Sequence, residues 1–321
     1  MHHWQIGAPQ VDVLHVVFGV DQRFSRHAMV TLLSVLRANP AEAFHFHFIS
    51  FDPLTFDDVL SAVSELRSPR CAITSYQAPP HIFAALPESP HFPKSACLRL
   101  LAPFLLRGCG RVLYLDADIV CLGPVRPLWD AVEHSEQIVA VVEDCAETVD
   151  RQVAALGLEG RRYFNSGMLC IDIPRWLEGT VTEQVLTILQ VDGGYLRFPD
   201  QDALNQVLEG RSKYVAGCYN QQFTLAHEPQ DEVRRVPSGT VLLHYSGVDK
   251  PWQAWNEQAA VVHYRRLRAS LPWAGEALDM PRTGRQARRM YKLCFRRKRL
   301  LKGCYWLAVR WKAARKPRTG R

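Results

Sequence analysis

No run of eighteen apolar residues occurs in the 321-residue chain, so nothing in it is long enough to predict a membrane-spanning helix. The first residues, Met1-His2-His3-Trp4-Gln5-Ile6, lack the basic-then-apolar layout of a secretory signal. There is no CxxC pair. Nine cysteines are scattered at 71, 97, 109, 121, 145, 170, 218, 294 and 304, an odd and irregular set that argues for reduced cytoplasmic thiols and against a disulfide or zinc framework. No internal repeat is present, which excludes a solenoid. Acidic residues are absent from 281–321, a stretch that holds 16 of the 39 Lys and Arg residues. The remainder therefore carries 23 basic against 32 acidic residues, a net of −9. A mildly acidic body is joined to a strongly basic tail, and the two imply different partners. With 47% hydrophobic and 22% charged residues, the chain has room for one large or two modest domains.

What is present alternates. Leu14 to Val20 is a near-continuous apolar run ending at Asp21, as expected of a strand covered on both faces. Ser25 is placed to cap a helix bearing Met29, Leu32, Leu33 and Leu36, which Asn39-Pro40 stops. Phe44 to Ile49 reads as a second strand. Thr55 and Asp58 resemble a capping box for a helix with Val59, Val63 and Leu66. Ala72 to Tyr76 is a third strand, and residues 78–93, with five prolines, form a loop. Ser95 to Leu106 is helical in pattern. Later come a short helix at Leu128–Val132, strands at Ile138–Val142 and Tyr163–Asp172, helices at Val181–Gln190 and Gln201–Leu208, and a strand at Val241–His244. Strand-helix alternation predicts an α/β fold with an open, mostly parallel sheet and crossover helices. Ligands of such sheets sit beyond the carboxyl ends of the strands.

One stretch stands out at such an end. Arg111-Val112-Leu113-Tyr114-Leu115 reads as a buried strand and runs into Asp116-Ala117-Asp118. Side chains two apart on extended backbone point the same way, so the two carboxylates converge. A bound cation would reward two like charges set side by side, although a D-x-D also arises by chance in a chain of this length. His244, closing an apolar strand, is either a hydrogen-bonded structural residue or an imidazole completing a site that suits Mn²⁺ better than Mg²⁺, which prefers oxygen. Gly247 admits close backbone approach, and Lys250 is either a solvated surface lysine or a point charge for a phosphate oxygen. A second D-x-D, Asp200-Gln201-Asp202, either caps a helix or aims a carboxylate and an amide at sugar hydroxyls.

Four segments in order carry a resemblance: Leu113-Tyr114-Leu115-Asp116-Ala117-Asp118, Tyr163-Phe164-Asn165-Ser166-Gly167, Asp200-Gln201-Asp202-Ala203-Leu204-Asn205, and His244-Tyr245-Ser246-Gly247-Val248-Asp249-Lys250-Pro251-Trp252. Together they resemble glycosyltransferase family 8, in particular its bacterial lipopolysaccharide glucosyl- and galactosyltransferase branch. Order and spacing fit from about residue 14 to 256. The resemblance implies a catalytic domain over 1–256 of GT-A type and a basic helical extension over 257–321. It implies transfer of glucose or galactose from a UDP-hexose, with Mn²⁺ and retention of configuration, to a saccharide acceptor, in this branch lipopolysaccharide core. Carried onto this chain, Asp116, Asp118 and His244 would bind the metal, and Gly247 and Lys250 the diphosphate. Asp21 would meet the uracil and Phe24 would stack on it. Arg99 and Ala117, with Asp116, would contact the donor, while Asp144, Asn165, Asp200 and Gln201 would surround the transferred sugar in the catalytic positions. Arg23 stands where some relatives have Asn, and Gln201 is a poor nucleophile for a double displacement.

The tail adds a location. Ala287, Met290, Tyr291, Cys294, Leu301, Cys304, Tyr305 and Ala308 approximate one helical stripe interrupted at Lys298, with Trp306 and Trp311 off it. Basic residues with aromatics describe an interfacial helix on an anionic membrane, and equally a nucleic-acid contact. The acidic body carries no nucleic-acid motif, so no nucleic acid is expected. The membrane is favoured, with the enzyme cytoplasmic and peripheral on the inner face of the inner membrane. A sugar-nucleotide hydrolase or binding protein without a saccharide acceptor is the alternative in sequence terms, followed by a nucleic-acid binder acting through the tail.

Overall fold

The computed structural model describes residues 2–7, 12–87, 93–133, 135–225 and 235–315. Part of the proline-rich loop, 88–92, and the tail beyond 315 lie outside these. The chain divides into two compact units, Met1–Phe223 with Val236–His244, and Thr224–Arg235 with Tyr245–Arg321. The division falls after residue 244, whereas the motif-based boundary stands at 256.

In the first unit the strands are β1 (His2–Ile6), β2 (Leu14–Gly19), β3 (Phe44–Ser50), β4 (Cys71–Gln77), β5 (Arg111–Leu115), β6 (Ile119–Cys121), β7 (Val139–Glu143), β8 (Phe164–Asp172), β9 (Ser212–Tyr214), β10 (Gln221–Gln222) and β11 (Leu242–His244). An eight-stranded sheet has the order β1-β4-β3-β2-β5-β8-β7-β9, and β10-β11-β6 form a small second sheet. From β4 through β3 and β2 to β5 neighbours run parallel, joined by crossovers such as the helix Gln22–Ala38. β8 is antiparallel to both β5 and β7. This reversal carries the start of β8, Asn165-Ser166-Gly167, to the carboxyl end of β5, where Asp116 N–H donates to Gly167 O at 2.8 Å.

The core follows from the apolar runs. Val112, Tyr114, Val139, Val141, Leu169 and Ile171 bury one sheet face against Trp176, Val185, Leu189 and Leu204. Each such side chain removed from water contributes about 1.5–3 kcal/mol, so the carboxylates after β5 are mounted on a rigid base.

Three local expectations are corrected. Asp21, not Ser25, caps the helix Gln22–Ala38: its Oδ1 accepts from Phe24 N–H at 2.7 Å, while the Ser25 hydroxyl donates to Gln22 O. No Thr55/Asp58 capping box forms; Phe56 occupies the N-cap of the short helix Asp57–Ala62 without a side-chain bond. The segment read as one helix from Ser95 is a 3₁₀ run, Lys94–Leu101, followed by one α turn, Ala102–Leu105. Pro103 has no amide hydrogen to continue an i→i−4 ladder.

The second unit ends in a helical hairpin. Thr283 and Gln286 form a capping box for the helix Gly284–Arg296, and Leu300–Arg315 follows after Lys298 turns the chain at φ +55°. Ala287, Cys294 and Trp306 meet in its core with Met290, Tyr291 and Val309. The tail is thus two packed helices, and Trp306 is buried between them instead of facing a lipid interface. A Cβ on Gly303 would lie 2.5 Å from the Phe295 ring, which packs against the glycine and would have to turn aside to admit one. Leu300, Leu301, Tyr305 and Trp311 remain exposed. Among the described residues no helix is long and apolar enough to cross a membrane.

Candidate metal centre

Three sequence-predicted ligands meet in the first unit. Asp116 leaves the carboxyl end of β5, and the chain then turns into β6 just after Asp118. β11 pairs antiparallel with β6 so that His244 stands opposite Ile119. One ligand atom each from Asp116, Asp118 and His244 lies within 4.8 Å of the others. Asp116 Oδ1 is held by the Tyr114 hydroxyl at 2.7 Å and by Arg99 Nη2 at 3.2 Å. Its Oδ2 borders Gly167: a Cβ there would lie 2.9 Å from Oδ2 and 2.5 Å from His244 Cε1. Only a residue without a side chain leaves this space open.

The donor set fits a divalent cation. His244 Nδ1 is 2.9 Å from Asn220 Oδ1, an acceptor, so the ring proton belongs on Nδ1 and the lone pair on Nε2. Nε2 faces Asp118 Oδ1 at 3.3 Å, both groups being buried. A lone pair opposed to a carboxylate oxygen is repulsive, and a shared cation reverses the sign. Two carboxylates and one imidazole form a borderline-hard set that suits Mn²⁺.

Beside it lies a closed polar network. Gln201 Oε1 accepts from Ser166 N–H at 3.0 Å and Asn165 Nδ2 at 3.3 Å. Gln201 Nε2 donates to Asp144 Oδ2 at 2.9 Å and to the Tyr163 hydroxyl oxygen at 3.0 Å. Asn165 also donates to Asp144 Oδ2 at 3.1 Å, and Asn220 Nδ2 donates to Asn165 Oδ1 at 3.0 Å, linking the network to His244. Asp200 pairs with Arg99 Nη2 at 3.3 Å. Burial pushes the Asp200 carboxyl above its ordinary range, and the Arg99 charge opposes this. Arg99 is itself buried, which disfavours its charge, yet the nearby Tyr114, Asp116 and Asp200 hold it firmly protonated. Its Nη1 donates to Ser166 O at 2.5 Å. Thus Arg99 ties the two acids and β8 together.

The other predicted residues fall as follows. Asp202 is fully buried and structural: it accepts from Tyr163 and Gln152 and reaches back to Phe198 N–H at 2.9 Å. The second D-x-D therefore lies inside the first turn of the helix Pro199–Val207, after an N-cap at Phe198. Ala117 presents its carbonyl to the Thr31 hydroxyl at 3.2 Å. Asp21 and Phe24 sit at the start of the first helix, with Phe24 edge-on to His27 at 5.7 Å. Gly247 (φ +83°) and Lys250 belong to the second unit, where Lys250 Nζ donates to Tyr245 O at 2.8 Å. Sequence reasoning missed Tyr114, Tyr163 and Asn220. Tyr114 and Tyr163 lay inside the quoted motifs; Asn220 carried no local signal.

The family model described as glycosyl transferase family 8 matches residues 15–256. The chain is 30% identical over 305 residues to a lipopolysaccharide 1,3-galactosyltransferase of Salmonella typhimurium, covering 92% of this chain and 90% of the relative. It is 28% identical over 277 residues to a lipopolysaccharide 1,2-glucosyltransferase of Escherichia coli, covering 83% and 80%. A crystal structure of the galactosyltransferase LgtC, solved with donor and acceptor sugar analogues, superposes with a TM-score of 0.67 at 23% identity. It covers 82% of this chain and 99% of that one, and the likeness establishes a GT-A type α/β fold.

Proposed function

We propose, from the premise that the chain belongs to glycosyl transferase family 8 and is a glycosyltransferase, that it transfers glucose or galactose from a UDP-hexose to a lipopolysaccharide-core saccharide with retention. The observation that carries this is the convergence of Asp116, Asp118 and His244 around the space left by Gly167, beside the Gln201 network.

Asp116, Asp118 and His244 would hold Mn²⁺, which when bound neutralises the charge that builds on the departing diphosphate. Asn220 keeps the His244 lone pair directed at that position. Arg99 positions Asp116 and Asp200 and offsets their mutual repulsion. Gly247 and Lys250 enter as diphosphate contacts on the sequence motif alone, as do Asp21 and Phe24 for the base. Asp144, Asn165, Asp200 and Gln201 would orient the sugar. Both ends of the Gln201 amide are already engaged by neighbours, which favours an orienting role over nucleophilic attack and supports a same-face route.

The membrane surface is the proposed location. At 100° per residue, Leu300, Trp311, Cys304, Ala308, Leu301 and Tyr305 share an arc of about 140° on the last helix, and each of these residues is exposed. Exposed Lys312 falls on the same arc at its C-terminal end, and exposed apolar residues interleaved with basic ones fit the headgroup region of an anionic bilayer.

A screen of UDP-sugars with Mn²⁺, with and without truncated lipopolysaccharide core, tests the reading. Acceptor-stimulated release of UDP is expected, with glucose or galactose appearing on the core. UDP release indifferent to acceptor would leave a sugar-nucleotide hydrolase. No turnover of any UDP-sugar would overturn the proposal.

A further inference from the structure

A second cluster of metal-ligating side chains lies at the other end of the parallel strands. Strand alternation sends Phe44, Phe46 and Phe48 to one face of β3 and His45 and His47 to the opposite one. β2 runs parallel to β3 with His15 opposite His45, so His15 shares the histidine face. The three rings are in contact, with centroids of His45 and His47 4.1 Å apart and those of His15 and His47 5.3 Å apart. One nitrogen from each ring lies within 4.8 Å of the others. His15 Nδ1 stands 3.0 Å from His47 Nε2 and 3.8 Å from Cys109 Sγ. Nitrogens from two neighbouring strands therefore converge, with Cys109 beside His15 at the edge of the cluster.

The spacing suits a tetrahedral ion. With metal–nitrogen bonds of about 2.05 Å, the edges of a tetrahedral site are about 3.3 Å. The His15–His47 separation of 3.0 Å lies close to this, and one nitrogen of His45 falls within 4.8 Å of both. The rings also have outer partners that orient them. The Tyr76 hydroxyl is 3.4 Å from His47 Nδ1, which leaves Nε2 for a ligand, and the Thr74 hydroxyl is 2.7 Å from His45 Nε2. His45 and His47 are buried, while His15 and Cys109 are half-buried and open a way in from solvent. Burial lowers the basicity of all three imidazoles, so they are neutral ligands at pH 7.

We propose that His15, His45 and His47 form a structural site for Zn²⁺ with three imidazole ligands and a water in the fourth position. Three imidazoles select a softer ion than two carboxylates and one imidazole do. The chain would then carry two sites of different preference. His15 and His45 lie near the amino ends of β2 and β3, and the ion would clamp these two strands together.

Cobalt is the probe. The full chain carrying Asp116→Asn and Asp118→Asn, stripped on a chelating resin, is titrated with Co²⁺ and read by absorption. The expected result is one Co²⁺ per chain, with visible bands of tetrahedral intensity displaced by Zn²⁺. His15→Gln should weaken uptake at least tenfold, and Cys109→Ser should leave it within about twofold. Both positions are half-buried, and melting of the metal-free variants within a few degrees of the parent would verify the fold. Absence of Co²⁺ uptake overturns the site. Uptake undiminished in His15→Gln overturns the imidazole cluster.

Discussion

A methyl group added at Gly167 would enter the space that Asp116 and His244 border. Its carbon would lie 2.5 Å from His244 Cε1 and 2.9 Å from both His244 Nδ1 and Asp116 Oδ2. Ordinary contacts begin near 3.4 Å, so the overlap is between half an ångström and one ångström. Neither neighbour yields readily: Asn220 holds the His244 ring, and Tyr114 and Arg99 hold Asp116. Gly167 does not occupy the left-handed region, so the penalty is steric alone. Overpacking of this kind costs about 1–3 kcal/mol. Displaced metal ligands lose about 10–100-fold in affinity, equivalent to about 1.4–2.7 kcal/mol. Gly167→Ala should therefore weaken Mn²⁺ binding at this centre by that factor, with a modest fall in melting temperature. Electron paramagnetic resonance of free Mn²⁺ reads the affinity, and circular dichroism verifies the fold. Gly110→Ala is the control, since its Cβ meets nothing within 4 Å. A Gly167→Ala protein that binds Mn²⁺ within twofold of wild type would refute the steric account of the site.

Asp116→Asn or Asp118→Asn should lower sugar transfer by about 10²-fold or more, and a chelator should do the same to wild type, reversed by Mn²⁺; full activity in chelator would remove the metal from the reading. Gln201→Ala should depress turnover while leaving UDP affinity nearly unchanged; loss of UDP binding would show the residue belongs to the nucleotide end. It also strips partners from Ser166 N–H and the Tyr163 hydroxyl, at about 1–3 kcal/mol of stability. Replacing exposed Leu301, Tyr305 and Trp311 with serine should reduce co-sedimentation with anionic vesicles at unchanged melting temperature, whereas Trp306→Ser, which opens the hairpin core, should cost about 3 kcal/mol or more. The serine series is a cleaner test than truncation at 281, which would take Arg289 from buried Asp249; a triple variant that sediments like wild type would refute an apolar contribution. Burial, then the charge of His15, holds His45 at a pKa of about 4 against an ordinary 6.5, and His15 and His47 shift the same way. The unfolded chain binds more protons between those values, so stability is full above pH 6.5 and falls as pH drops toward 4. In metal-free protein the urea midpoint should follow that sign, with a shallower slope in His45→Gln; equal slopes would refute it.

Much of the site was legible because its motifs are local. Arg111 to Asp118 is an apolar strand breaking into two acids, and that pattern alone specifies a buried strand with carboxylates at its end. His244 was legible as a polar residue closing an apolar strand, and the alternation of elements specified an α/β sheet. Periodicity does not report strand direction. Apolar runs look alike whether a strand is parallel or antiparallel, so the reversal of β8, which brings Asn165, Ser166 and Gly167 beside Asp116, was decided only by tertiary packing. The same holds for Trp306, whose burial depends on a second helix folding back at Lys298. It holds also for the histidine face. Phe-His-Phe-His-Phe specifies a strand with two unlike faces, but nothing local places His15 and Cys109, 30 residues before and 62 residues after His45 or His47 respectively, against it. Local chemistry is written in neighbouring residues; convergence of distant ones depends on register, direction and what packs on each face.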